Sequence, residues 1–197
     1  MAQKAGIEIS ESKLFFDKQG NAHFGTNRFD RGDQNERFHV NTLSNLIHAD
    51  LVHPLLDYET LIKVSSALTK NQADVTHCYR QMLFNIISHN RDDHGKSFSF
   101  KMLQTGEWTL SPSYDLTFSD GPGGQQSTTL AGEGKQPSSV DIEKIAKVAG
   151  ISASEQKGIL NQVKDAVSSW SNLAQDIDIK KSEIDFIEKR LTYKSTQ

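Results

Sequence analysis

The sequence predicts an α+β fold that is mostly helical. Three observations point there. Apolar residues recur at helical spacing through much of the chain after residue 41. Two short β-like runs flank a glycine-containing turn near the start, and a second strand pair occupies residues 96–115.

The first six residues, "MAQKAG", read as the last turn of a helix with Gly6 as its left-handed stop, so the chain opens inside an element. In "SKLFFDKQGNAHFGTNRFDR", β-like runs flank Lys18-Gln19-Gly20-Asn21 as a hairpin. Helical pattern follows in "NTLSNLIHA" and "YETLIKVSSALT". The strongest helix is "NQADVTHCYRQMLFNIISHN", where Val75, Tyr79, Met82, Leu83 and Ile86 share a face. Asn71, with Asp74 three residues on, marks its N-terminal cap. "KSFSFKML" alternates as a strand, "QTGE" turns, and "WTLSPSYD" is a second strand stopped by Pro112. Residues 117–137, rich in Gly, Ser, Thr, Gln and Pro, form a long loop of the kind that tends to carry function. Three helices close the chain. "SSVDIEKIAKVAG" has Ser138 and Asp141 as a capping pair and Gly150 as its end. "SASEQKGILNQVKDAVSSW" repeats the device with Ser152 and Glu155 and aligns Ile159, Val163, Ala166 and Trp170. The last carries Ile184, Ile187 and Leu191. The tail "KRLTYKSTQ" is mildly basic and reads as a disordered end.

Composition narrows the function classes. The 197 residues are 36% hydrophobic and 24% charged, enough for one core under a polar surface. A net charge of −3 excludes a basic nucleic-acid surface over the whole molecule. The single cysteine, Cys78, leaves no intrachain disulfide and no cysteine zinc cage, and inside a helix it reads as a buried structural thiol. No apolar run approaches the about 20 residues that span a bilayer, and no signal peptide opens the chain. A cytoplasmic protein with no membrane attachment is expected. His39, His48, His53 and His77 read as satisfied or exposed side chains.

The chemistry gathers in "HNRDDHGKSFSF", residues 89–100, where a charged loop joins the strongest helix to a strand. Loops held by rigid neighbours are where catalytic groups concentrate; a solvated turn is the plainer reading. Asp92 and Ser97 have the spacing of the aspartate and asparagine in the kinase loop H-R-D-x-x-x-x-N. There the aspartate accepts a hydroxyl proton and the asparagine holds Mg²⁺. Asp115, at the other end of the strand pair, would be a second ligand for an ion that takes few protein oxygens. A transition-metal phosphohydrolase using His89, Asp92, Asp93 and His94 is a third reading. "GPGG" at 121–124 neither follows a strand nor opens a helix, which argues against a phosphate cradle.

"RFDR" at 28–31, "HNRDDHGKSFSF", "WTLSPSYDLT" and "STTLAGEGKQP" stand in the order and at the intervals of the HipA family. The chain resembles these bacterial toxin kinases of the Ser/Thr type, partners of HipB antitoxins, from about Gly6 almost to its end. The resemblance implies a protein-kinase-like C-lobe at 32–197, preceded at 1–31 by a truncated upper-lobe remnant, with its β-hairpin, and a hinge. It implies ATP and Mg²⁺ as cofactors. Asp92 would match the catalytic base, with His94 and Lys96 in the family's D-x-H-x-K-N loop. Asp115 and Ser97 would face the metal. Asn27 to Phe29 would be the hinge that meets adenine, and Phe98 and Tyr114 the apolar walls of the nucleotide site. Implied partners are a HipB-like antitoxin, a protein substrate such as an aminoacyl-tRNA synthetase, and an upper lobe supplied in cis or in trans. DNA would be reached only through the antitoxin.

Two departures bear on activity. Ser97 replaces the family's metal-binding asparagine. The family's glycine-rich loop and ATP-gripping lysine fall upstream of Met1, so the chain alone is expected to bind ATP weakly and turn over little. The alternative is a non-catalytic module that engages a HipB-type repressor. The hairpin, without neighbouring strands, is expected to expose an unpaired edge.

Overall fold

A computed structural model describes residues 1–34, 36–49 and 56–191; His53 and the tail beyond 191 lie outside the described residues. The opening turn closes as the sequence predicts. The N–H of Ile7 donates to Ala2 O and that of Gly6 to Gln3 O, both at 3.0 Å, with Gly6 at φ 74°. This double bond pattern is the left-handed helix stop that glycine favours.

Strands β1 (Ser12–Phe16) and β2 (Ala22–Thr26) pair antiparallel around the predicted turn. Asp17 Oδ1 accepts the N–H groups of Gln19 (2.9 Å) and Asn21 (2.8 Å), and Gly20 takes φ 85°. The ribbon is a two-stranded sheet by itself, and Phe15, Phe16 and Phe24 stand exposed on it.

A three-stranded antiparallel sheet orders β3 (His39–Thr42), β5 (Ser99–Met102) and β6 (Trp108–Leu110) with β5 in the middle. The helix expected over "NTLSNLIHA" is cut back by this pairing. Asn41 and Thr42 sit opposite Phe100 and Ser99, and the helix that remains, α1, is the single turn Leu43–Leu46 capped by Thr42. Strand β4 (Leu56–Asp57) runs parallel to β7 (Thr128–Thr129), a two-residue ladder inside the segment expected to be all loop. Among the described residues helix is the commonest regular structure, yet three small sheets and long irregular segments make the fold mixed rather than mostly helical.

Helix α2 (Tyr58–Thr69) is capped by Asp57 and turns into α3 (Gln72–Ile87) through Lys70 at φ 52°. Asn71 caps α3 as expected. Asp74 does not complete the cap; its Oδ2 accepts the N–H of Leu110 at 3.2 Å and ties β6 to the helix. The predicted face of α3 is buried apart from Ile86, which is half-buried, and Cys78, Phe84, Asn85 and Ile87 are buried as well, so α3 is the central helix. Helices α4 (Ser139–Val148) and α5 (Ala153–Ser168) start at the Ser138–Asp141 capping box and at Ser152. The stripe ending at Trp170 is broken at Ser169, where α6 (Trp170–Asp176) begins, and α7 (Lys181–Glu188) follows. Tyr58, Leu61, Met82, Leu83, Phe100 and Val163 are fully enclosed. Each such aliphatic or aromatic side chain contributes about 1.5–3 kcal/mol by leaving water. No described helix is long and apolar enough to cross a membrane.

Candidate functional site

Helix α3 ends at Ser88, and His89 turns the chain with φ 59°. The next residues divide sharply between core and solvent. Asn90 is buried, and its N–H donates back to Asn85 O at 2.8 Å. Arg91 reaches into the 121–135 loop, donating through Nη1 to Gly124 O and through Nη2 to Lys135 O. Its own carbonyl accepts from the N–H (3.1 Å) and Oγ (3.0 Å) of Ser127. Asp93 is fully enclosed. Asp92 and Lys96 face solvent. His94 bridges the loop, with Nδ1 3.0 Å from Ser97 Oγ and Nε2 3.9 Å from Asp92 Oδ1.

The far end of the β5–β6 hairpin folds back onto this loop. Tyr114 Oη donates to Lys96 O at 2.6 Å and is also hydrogen-bonded to Ser99 Oγ. Asp115 sits at φ 56°, and its carbonyl accepts from Asn90 Nδ2 at 3.4 Å. Phe29 stacks on Tyr114 with ring centroids 5.6 Å apart. Asn27 is held to the hairpin foot, its N–H on Glu11 O (2.9 Å) and its Nδ2 on Glu11 Oε2 (3.1 Å). Arg28 grips Asp30 through two bonds of 2.8 and 2.6 Å. That hydrogen bonding holds the Asp30 carboxyl down at about 2.

These elements enclose a cavity of about 610 Å³, lined among others by Phe24, Asn27, Phe29, Phe84, Tyr114 and Asp115. Small-molecule sites run from about 300 to 1,000 Å³ and combine apolar walls with a few polar groups. The expected residues Asn27, Phe29, Tyr114 and Asp115 therefore meet in one space. Asp92, His94, Lys96 and Ser97 do not line it; they sit on the loop bonded to its Tyr114–Asp115 wall. Phe98 stands apart. It is buried against Tyr58, ring centroids 5.9 Å apart, and belongs to the core rather than the cavity wall.

For a nucleotide the fit is good in size and in aromatic lining. For Mg²⁺ it rests on Asp115, because the Ser97 hydroxyl is buried and engaged by His94. The phosphohydrolase reading does not survive. His89 Nε2 bonds Asp120 Oδ1 at 3.0 Å, Asp93 bonds Tyr58, and His94 lies against Ser97. Among the described residues no three His, Cys, Asp or Glu side chains group to hold a metal.

Sequence reasoning passed over Asn90 and Arg91 as site-building residues and offered Asp93 only as a metal ligand of the phosphohydrolase reading. Asp93 takes hydrogen bonds from residues 126–128, so the one available signal was its position between Asp92 and His94, and that does not say which aspartate turns inward.

Fold and cavity define a mixed α/β domain in which a charged helix–strand loop abuts a small-molecule-sized pocket. The chain belongs to the HipA family: the family model for the HipA-like C-terminal domain matches residues 1–170. No curated protein matches it. Among solved structures, a chain from the Shewanella oneidensis MR-1 complex of the toxin–antitoxin system HipA, HipB and its operator DNA is similar, with a TM-score of 0.75 at 17% identity. The match covers 98% of this chain and 51% of that one, so this chain spans about half the length of that relative. At that identity the likeness is one of fold.

Proposed function

We propose that this chain is the C-lobe of a HipA-like serine/threonine protein kinase, the toxin of a toxin–antitoxin pair. The observation that carries the reading is the cavity where the Phe29–Tyr114 stack and Asp115 meet, backed by the loop that bears Asp92. In this reading residues 1–31 are the hinge side of the pocket and 32–197 the kinase-like lobe. Asn27 to Phe29 and Tyr114 hold the base, and Asp115 binds Mg²⁺. Asp92, open to solvent, takes the proton of a protein hydroxyl, and Lys96 stands near the incoming negative charge. Bound Mg-ATP supplies the γ-phosphoryl group and neutralises its charge; the chain contributes position and fixed charge. The glycine-rich loop and its lysine would come from an upper lobe in cis or in trans. A HipB-like antitoxin is the proposed partner, and operator DNA is reached through it. A translation enzyme such as an aminoacyl-tRNA synthetase is the proposed substrate.

A second reading, a non-catalytic module that binds a HipB-type repressor, is favoured by one observation. Ser97 replaces the family's asparagine, and its hydroxyl is spent on His94. Calorimetric titration of the full chain with Mg-ATP, with and without an added upper lobe, tests the first reading. Saturable binding that weakens in Phe29→Ala and loses its Mg²⁺ dependence in Asp115→Ala supports it; no binding in either format overturns it. Phosphorylation by the completed protein that disappears in Asp92→Ala excludes the second.

A further inference from the structure

The Asp93 carboxylate receives four donors: Tyr58 Oη at 2.5 Å, Gln126 Nε2 at 3.0 Å, and the N–H groups of Ser127 at 2.8 Å and Thr128 at 3.2 Å. Two oxygens facing four donors suit an acceptor-only, ionised group. Burial pushes the Asp93 carboxyl above its usual range, and the bonds from Tyr58, Thr128 and Ser127 pull it back.

The bonds do not stop at Asp93. Tyr58 Oη accepts from Asn85 Nδ2 at 3.0 Å, and Asn85 Oδ1 accepts from Asn90 Nδ2 at 3.1 Å. The same Asn90 amide reaches Asp115 O, and Gln126 Nε2 closes the circuit on Asn90 O at 3.3 Å. Tyr58, Asn85, Asn90, Asp93 and Gln126 are all buried. The Asn90 side-chain oxygen is buried with no hydrogen-bond partner; the bonds of the rest of the circuit still favour one arrangement of the backbones they join.

We propose that Asp93 is the positioning residue of the site: its carboxylate clamps residues 126–128 and, through Tyr58, Asn85 and Asn90, fixes the backbone carrying Asp115 against the backbone carrying Asp92. The purpose assigned to the clamp rests on the kinase reading; the clamp itself is tested without it. A carboxamide at 93 turns an NH₂ group toward donors, so Asp93→Asn keeps the shape and breaks the circuit. Tyr58→Phe removes one hydroxyl and keeps the ring, a milder second variant should the first fold poorly.

Hydrogen exchange read by mass spectrometry on the full chain, paired with Mg-ATP calorimetry, is the test. In both variants exchange accelerates about tenfold or more in 113–116 and 126–130 together, while α5 keeps its wild-type rates. Mg-ATP affinity falls with it, although Asp93 does not line the cavity. Acceleration confined to 126–130 overturns the proposal, because Asp93 then anchors only its own loop. Uniform acceleration that includes α5 also overturns it, because the role is then core stability. If wild type shows no Mg-ATP binding either alone or with an added upper lobe, the kinase reading fails while the exchange pattern still decides the clamp.

Discussion

Asn90 holds Asp115 from 25 positions away: its side-chain amide donates to the Asp115 carbonyl at 3.4 Å and to Asn85 Oδ1 at 3.1 Å. One amide thereby joins the end of the central helix to the exit of the hairpin. Asn90→Ala strands the buried Asn85 Oδ1 and removes a donor from the Asp115 carbonyl. The expected cost is about 1–3 kcal/mol, read as a lower urea midpoint with an unchanged slope.

Ser97→Asn separates metal chemistry from packing. Position 97 is only 4% exposed, so a larger side chain overpacks it and breaks the bond to His94. A stability loss of about 1–3 kcal/mol is expected. Thermal melts taken with and without Mg-ATP read both effects. In the kinase reading the variant melts lower alone and gains more from Mg-ATP than wild type does.

Burial raises the Cys78 thiol to about 12 from an ordinary 9.0, and burial pushes Tyr79 up as well. The folded state keeps these protons and the unfolded chain releases them. Stability from this source is therefore whole below pH 9 and drains away as pH rises toward 12. At the other end, burial lowers His77 and His89 below their ordinary 6.5, so the unfolded chain takes up protons the folded one refuses and stability falls as pH drops through that value. Urea midpoints across pH should show both declines. Iodoacetamide at pH 8 should label Cys78 in urea and spare it in the native protein.

The β1–β2 ribbon pairs with no third strand among the described residues and shows Phe16 and Phe24 to solvent at 67% and 71%. Open edges with apolar faces invite association. Size-exclusion chromatography should give an elution volume that moves earlier with concentration, and Phe16→Lys should restore a constant monomer volume.

Features fixed within a few residues were legible in the sequence. Asn71, the Ser138–Asp141 box, and the stops at Gly6 and Gly150 each need only a neighbour two to five positions away. Features fixed by distant pairing were not. The strand at Asn41–Thr42 exists because β5 lies beside it, and β4 exists because β7 does. The same holds at the site. Alternation identified the strand around Phe98 without revealing that Tyr58 would claim that ring for the core. Spacing singled out Asp92, while the aspartate beside it was the one turned inward by residues 126–128.

The ribbon's lone pairing has a further consequence for the pocket it helps enclose. Phe24 and Thr26 belong to a part that lends little to the hydrophobic interior, so one wall can shift without disturbing the rest. Occupancy and ribbon order are then thermodynamically reciprocal: whatever fills the space stiffens the ribbon, and whatever braces the ribbon from outside tightens the grip on the occupant by the same factor.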